Sequence, residues 1–155
     1  MTTLQLVARR SLRLGVGAAA VLAAGCAGMS TKNPTTLSGT QEVPAVTTSA
    51  SGSTDVSVSY SKCPPATASN YCPTVYGSVV TAGMKGTAAH IHQGAPGQNG
   101  PVVVTLTKVD DNTWLVPSGV TLTDAQYDAY WAGLLYVNVH SDANQGGELR
   151  AQLKP

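Results

Sequence analysis

Short stretches in which apolar and polar residues alternate recur along the chain and restrict its fold more than any other feature. Residues 55–60 show the pattern most clearly, because their valines and serines fall on opposite faces of an extended strand. Six further stretches share this alternation: residues 75–81, 87–92, 102–107, 113–116, 135–140 and 148–153. The connecting segments are rich in Gly, Pro, Asn and Ser, which favour turns. About eight short strands of this kind predict an antiparallel β-sandwich or barrel.

One segment departs from the alternation and predicts a short helix over residues 124–132. Thr123 and Gln126 form a capping-box pair, in which each side chain binds the main-chain N–H of the other residue. Apolar side chains then recur at steps of three and four as far as Leu135, and Gly133 is a typical helix end. We expect this helix to close one end of the sandwich rather than to form an aromatic platform for a ligand.

The first 26 residues predict an export signal. Basic residues precede an apolar run at positions 14–24 that is too short to span a bilayer stably. The end of this segment, Leu-Ala-Ala-Gly-Cys, resembles a bacterial lipobox, which predicts that Cys26 is lipidated. The adjacent arginines also resemble a twin-arginine signal, and an ordinary Sec signal is the alternative. Residues 27–36 are small and polar and predict a tether, so that residues 37–155 form the single folded domain.

The part of the chain that follows the signal has too little positive charge to bind nucleic acid. Three of the nine basic residues, Arg9, Arg10 and Arg13, lie within the signal, which leaves six basic against eight acidic residues. Binding to a phosphate backbone needs a cluster of Lys and Arg, and the remaining sequence has none. We therefore expect a partner other than nucleic acid.

Cys63 and Cys72 are the two cysteines that remain once Cys26 is assigned to a lipid. They bracket a proline-rich segment without apolar periodicity, and outside the cytoplasm such a pair favours a disulfide. Closing a loop of this size stabilises a fold by roughly 2–3 kcal/mol. A metal-thiolate pair is the alternative, but the spacing matches no usual zinc pattern. We therefore predict a disulfide between the two residues.

The three histidines of the chain fall in two strand-like segments, residues 89–92 and 136–140. Residues two apart on a strand share a face, so the apolar residues of each segment face the core. His90 and His92 on one strand, and His140 on the other, then point away from the core. If the two strands are neighbours in one sheet, the three imidazoles converge on a single surface.

A His-x-His pair with a third histidine from another strand is typical of a site for a transition metal. Neutral imidazole is a ligand favoured by copper, zinc, nickel and iron. Because an oxidising compartment leaves no free thiolate here, we expect copper as the cofactor, with zinc as the alternative. The non-functional interpretation is that His90, His92 and His140 are solvated surface histidines.

Three further residues are candidates to hydrogen-bond the ligand imidazoles. Asn138 shares the face of His140, while Glu148 and Arg150 alternate with apolar residues near the C-terminus. Glu148 can accept a hydrogen bond from a ligand N–H, as carboxylates beside metal sites do. The other interpretation, which we favour for this pair, is that Glu148 and Arg150 form an ion pair on the surface.

Five segments, in order along the chain, resemble the CHRD domain family, which is named for chordin and also occurs in bacterial secreted proteins. They are residues 37–44, 89–94, 97–103, 136–140 and 147–153. The resemblance spans about residues 36–154. It implies an all-β sandwich but no settled activity. The segment between the two cysteines is not a feature of the family pattern.

The histidine pattern is also similar to that of copper-zinc superoxide dismutase, a Greek-key β-sandwich. His90, His92 and His140 match three copper ligands of that enzyme, but the chain has no fourth histidine. The two resemblances together imply an antiparallel Greek-key sandwich of the superoxide-dismutase or immunoglobulin type.

Three functions follow from these observations. The first is an exported, lipid-anchored protein that binds a transition metal for metal handling or redox protection. The second is a superoxide dismutase-like enzyme at the same site, which is the one enzymatic candidate; the sequence favours a protein that is not an enzyme. The third is a metal-free binding or adhesion module with a protein partner in the envelope. In each case we expect a bacterial cell-envelope location, on the periplasmic or extracellular face.

Overall fold

The computed structural model describes residues 34–63 and 70–155. The described strands are β1 (Thr35–Leu37), β2 (Ser51–Thr54), β3 (Ser57–Lys62), β4 (Tyr71–Tyr76), β5 (Ser78–Ala82), β6 (Gly86–Gln93), β7 (Val102–Thr105), β8 (Thr107–Asp110), β9 (Thr113–Leu115), β10 (Leu135–Ser141) and β11 (Leu149–Gln152). A 3-10 turn at Gly39–Gln41 follows β1, and helix α1 (Asp124–Trp131) precedes β10. The predicted signal peptide, its Cys26 and most of the predicted tether lie outside the described residues.

The strands form antiparallel sheets, which confirms the predicted all-β sandwich. One sheet has the order β1-β2-β5-β9-β8, and a second has the order β11-β10-β6-β7. The hairpin β3-β4 forms a further two-stranded sheet. A bridge between Ser38 and Arg150 joins the β1 end of the first sheet to the β11 end of the second.

Two of the predicted strands are each divided in the structure. The alternation over residues 75–81 belongs to β4 and β5, which separate at Gly77, where φ is +121°. Such a backbone angle strains a residue with a Cβ, so glycine allows the chain to pass from one sheet to the other here. The alternation over residues 102–107 likewise contains β7 and the start of β8, which lie in different sheets. Residues 35–37 and 51–54 form strands that the alternation did not indicate.

The core lies between the five-stranded and four-stranded sheets. Trp114 of β9 is fully buried and lies against Gly86 at the start of β6, where an added Cβ would collide with the indole ring. Leu149 of β11 lies 3.5 Å from the position that a Cβ at Gly52 in β2 would take, which is an ordinary packing distance across the sandwich. These close approaches fix the position of the four-stranded sheet, and therefore of β6 and β10.

The predicted helix and its capping box are confirmed. The main-chain N–H of Gln126 donates to Thr123 Oγ1 at 3.2 Å, and the N–H of Thr123 donates to Gln126 Oε1 at 2.9 Å. Gly133 has a φ of +71°, which ends the helix at its C-terminal side. Within the part of the chain that the structure describes, this helix is too short and too polar to cross a membrane.

The predicted disulfide between Cys63 and Cys72 is also confirmed. The two residues lie at the loop end of the β3-β4 hairpin, with their Cα atoms 5.1 Å apart. This distance lies within the usual range for a disulfide. The bond therefore joins the ends of the segment that contains residues 64–69.

Candidate metal centre

The pairing of β6 with β10 brings the three histidines to one face of the four-stranded sheet. His90 lies opposite Asn138 and His92 lies opposite Tyr136 in the antiparallel register. His140 lies two positions beyond Asn138 on β10, so it shares the same face. The alternating residues on the other face are at most 1% exposed and belong to the core: Ala89, Ile91, Val137 and Val139. The predicted convergence of the imidazoles is therefore confirmed.

The histidine nitrogens are close enough to share one ion. One nitrogen from each of His90, His92 and His140 lies within 4.8 Å of the others. Nδ1 of His90 and Nε2 of His140 are 3.0 Å apart. Nitrogen ligands about 2.0 Å from a tetrahedral metal lie roughly 3.3 Å from each other, so this separation suits two ligands of one metal.

Main-chain carbonyls fix the proton positions of two of the imidazoles. Nδ1 of His92 lies 2.9 Å from the carbonyl oxygen of Gly100, and Nδ1 of His140 lies 2.9 Å from that of Gln145. A carbonyl oxygen only accepts, so both Nδ1 atoms hold the proton when the rings are neutral. Nε2 of each ring then carries a lone pair, the form that binds a metal. Nε2 of His140 accepts a hydrogen bond from Nδ1 of His90, so a metal would replace that bond.

Burial favours the neutral form of the two β6 histidines. It lowers the pKa of His90, and the neighbouring His140 and His92 lower that pKa further. Burial also lowers the pKa of His92, although the hydrogen bond to the Gly100 carbonyl acts in the opposite direction. Both rings are therefore neutral at pH 7 and need lose no proton to bind a cation.

Tyr136 and Arg150 support the ring of His92. The rings of Tyr136 and His92 are stacked, with centroids 4.9 Å apart and planes 6° from parallel. The Cζ atom of Arg150 lies 3.5 Å from the centre of the Tyr136 ring. Because β10 lies between β6 and β11, His92 and Arg150 approach the tyrosine from its two sides. The imidazole thus has little freedom to rotate.

Arg150 also holds loop 94–101, which connects β6 to β7. Its Nη2 donates to the carbonyl oxygens of Ala95 at 3.1 Å and Gln98 at 3.0 Å. Its Nη1 lies 3.4 Å from Oδ1 of Asn99. This loop supplies the Gly100 carbonyl that binds the imidazole of His92. The guanidinium therefore positions both partners of that hydrogen bond: the loop directly, and the imidazole through the stacked ring of Tyr136.

The prediction that Glu148 and Arg150 form a surface ion pair is wrong. Both side chains are buried, and the Arg150 guanidinium is turned to the carbonyls of loop 94–101. The carboxylate of Glu148 instead accepts hydrogen bonds from Ser141 and, at 2.6 Å, from Thr48. Within the described residues, no hydrogen bond joins Glu148 to a histidine. Alternation places these side chains off the core face, but the loops that cover that face bury them.

Of the three residues predicted to support the ligand imidazoles by hydrogen bonds, Asn138 is the one whose polar side chain lies beside a histidine ring. Its side chain is 4% exposed and lies beside His92. Oδ1 of Asn138 and Nε2 of His92 are both buried, and neither has a hydrogen-bond partner among the described residues. Unsatisfied buried polar atoms are uncommon in folded proteins, so two of them beside the histidines mark this place as unusual.

Glu42 is a residue of this region that the sequence analysis did not identify. It follows the 3-10 turn, is 6% exposed, and its Oε1 also has no partner among the described residues. Burial raises its pKa to about 7, although the charge of Arg150 acts in the opposite direction. Glu42 lies in the first segment that resembles the CHRD family, and that resemblance is the one sequence signal that could have found it.

Comparison with known proteins identifies the domain. The family model described as the CHRD domain matches residues 34–153 of the chain. Neither the search of curated proteins nor the search of solved structures gives a match. The candidate site residues on β6, β10 and β11 all fall within the matched range.

Replacing Arg150 with lysine tests the role of the guanidinium. We expect Arg150→Lys to lower the free energy of unfolding by about 2–3 kcal/mol, because an ammonium group cannot reproduce the planar set of donors or the stacking. Denaturant titration measures this loss, and the ring-proton resonances of His92 should shift as its stack loosens. Lys108→Arg, in an exposed ion pair with Asp111, is the control and should have little effect. Equal losses in both variants would contradict the assigned role.

The raised pKa of Glu42 predicts a pH-dependent contribution to stability. Because its folded pKa is about 7 instead of the ordinary 4.5, folding is disfavoured by Glu42 as the pH rises from 4.5 through 7. A shift of this size corresponds to roughly 3 kcal/mol. Glu42→Gln should therefore gain stability relative to wild type at pH 8.5 but not at pH 4.5, in denaturant titrations at both values. His90 and His92 titrate in both proteins, so their contribution to the pH dependence cancels in the stability difference between Glu42→Gln and wild type. A difference that does not change with pH would refute the prediction.

Proposed function

Since the chain belongs to the CHRD domain family, whose fold does not by itself define an activity, we propose a function from its site: it binds a copper ion through His90, His92 and His140. One observation carries this proposal. The three imidazoles each offer a nitrogen within 4.8 Å of the others, and the carbonyls of Gly100 and Gln145 bind Nδ1 of His92 and of His140, which leaves Nε2 of both rings as the ligand atom. Surface histidines have no need of such positioning.

The donor set favours copper over other divalent ions. All three candidate ligands are imidazoles, and Cys63 and Cys72 are joined to each other and so offer no thiolate. Among first-row divalent ions, Cu²⁺ binds nitrogen ligands most tightly, and zinc is the next candidate. We therefore assign the site to copper, and its role to metal handling or redox protection.

The cell envelope is the proposed location of this function. The sequence of residues 1–26 has the pattern of a lipoprotein signal ending at Cys26. The Cys63–Cys72 disulfide supports the same location, because disulfides persist in oxidising compartments. The copper site would then lie outside the cytoplasm, anchored to a membrane by the N-terminal lipid.

Copper binding is the central test. The exported protein should take up one Cu(II) per chain with nitrogen hyperfine structure in its electron paramagnetic resonance spectrum. His92→Ala and His140→Ala should each weaken binding by about 100-fold or more, since even residues beside a ligand contribute 10–100-fold. Affinity should also fall on acidification, and the protonation of His90 and His92 should contribute to this fall only below the usual imidazole value of 6.5, because their pKa values are lowered.

Gln145→Ala is the matched control for this test. Its side chain is exposed, while its main-chain carbonyl, which binds His140, remains in the variant. This variant should bind copper like wild type. A wild-type protein that takes up neither copper nor zinc would exclude the proposal and favour a metal-free binding or adhesion module.

The proposed anchor is tested at Cys26. In a bacterial host, Cys26→Ala should abolish labelling by a fatty-acid precursor and move the protein from the membrane fraction to the soluble fraction. The reason is that an acylated cysteine holds a domain at a membrane by burying its chains in the bilayer. Ser30→Ala lies just beyond the signal and should leave the labelling intact. Unchanged membrane association of Cys26→Ala would rule out the lipid anchor.

A further inference from the structure

Two buried polar atoms without a hydrogen-bond partner among the described residues lie at the candidate metal site. Nδ1 of His92 holds the ring proton, because it lies against the carbonyl of Gly100, so Nε2 of the neutral ring can only accept. Asn138 lies next to this ring, and Nε2 and Asn138 Oδ1 are both buried without a partner among the described residues. Two neighbouring acceptors can be satisfied by a water molecule that donates to both, or by a metal on one lone pair whose bound water donates to the other.

The orientation of the Asn138 amide agrees with this view. Nδ2 of Asn138 lies on the side of Gly147, which leaves Oδ1 directed away from that residue. A Cβ at position 147 would lie 2.8 Å from Nδ2 of Asn138 and 2.5 Å from Oε1 of Glu42. The amide donor and the carboxyl acceptor therefore approach the same point.

The backbone beneath this point leaves room for both side chains. Gly147 has a φ of +128°, a conformation that side-chain-bearing residues rarely adopt, and it has no Cβ to separate the two groups. A cleft of about 200 Å³ lies beside Glu42, between residues 42–46 and the turn at residues 144–147. Glu42 thus lies between this cleft and the amide of Asn138.

We propose that Asn138 binds the non-protein ligand of the metal: a water molecule coordinated beside His92 donates a hydrogen bond to Oδ1 of Asn138. This inference rests on the proposed copper site and adds to it a specificity for the remaining coordination position. A metal on Nε2 of His92 satisfies one acceptor, and the O–H of its bound water satisfies the other. Ligands that donate a hydrogen bond are therefore favoured over ligands that can only accept, and Asn138 is a positioning residue for the ligand.

Azide binding to the copper-loaded full-length protein tests this specificity, because the azide ion has no proton to donate. Asn138→Leu removes the facing acceptor and should strengthen azide binding by about tenfold, measured from the azide-to-copper charge-transfer absorption. Asn138→Asp keeps an acceptor and adds negative charge, so it should weaken azide binding. Asn70→Leu, on the β3-β4 hairpin, is the control and should leave azide affinity unchanged. Equal azide affinity in wild type and Asn138→Leu would overturn the inference.

A second measurement does not depend on a variant that may misfold. In a crystal structure of the copper-loaded wild-type protein, a water on the copper should lie within hydrogen-bonding distance of Asn138 Oδ1. Direct coordination of Oδ1 to the metal, or a water directed elsewhere, would refute the inference while leaving the copper site intact. A wild-type protein that binds no metal would remove the proposed function and, with it, this inference.

Discussion

The antiparallel pairing of β6 with β10 is the constraint on which the candidate site depends. Each strand has a period of two, so the residues that fill the core also determine which residues point away from it. Ala89 and Ile91 on one strand, and Val137 and Val139 on the other, are buried almost completely. A shift of one residue in register would bury histidines and expose these side chains, so the energy of the core also holds the imidazoles in place.

Arg150 connects this pairing to the loops above it. A buried cation is costly unless its donors are satisfied, and the described residues give Arg150 no carboxylate within ion-pair distance. Its guanidinium instead binds main-chain carbonyls of loop 94–101 and stacks on Tyr136, which in turn stacks on His92. One planar group thereby fixes a loop, an aromatic ring and an imidazole. Lysine, a point charge on a flexible stem, lacks the geometry for this role.

Unsatisfied polar atoms are concentrated next to the histidines. Of the buried side-chain atoms without a partner in the described ranges, those of Glu42, His92 and Asn138 lie in this region, and Trp114 has the remaining one. Folded proteins pair such atoms as a rule, and departures from the rule occur where a ligand or an ion completes the pairing. Gly147, which has a positive φ, lies in the same place, and a Cβ there would collide with the side chains of Glu42 and Asn138.

The sequence by itself determined the helix, most of the strands and the face on which each histidine lies, because alternation, the capping box at Thr123 and the turn glycines act within a few residues. It did not indicate β1 and β2, nor the division of two strands between sheets. It also indicated the disulfide, from the compartment and the spacing of two cysteines. Only the tertiary structure decided what surrounds those histidines. Arg150 and Glu148 alternate away from the core, which predicts exposure, yet loops distant in the chain cover them. Arg150 binds loop 94–101, and Glu42 and Asn138 both approach Gly147. These residues are far apart in sequence, and no local pattern encodes such contacts.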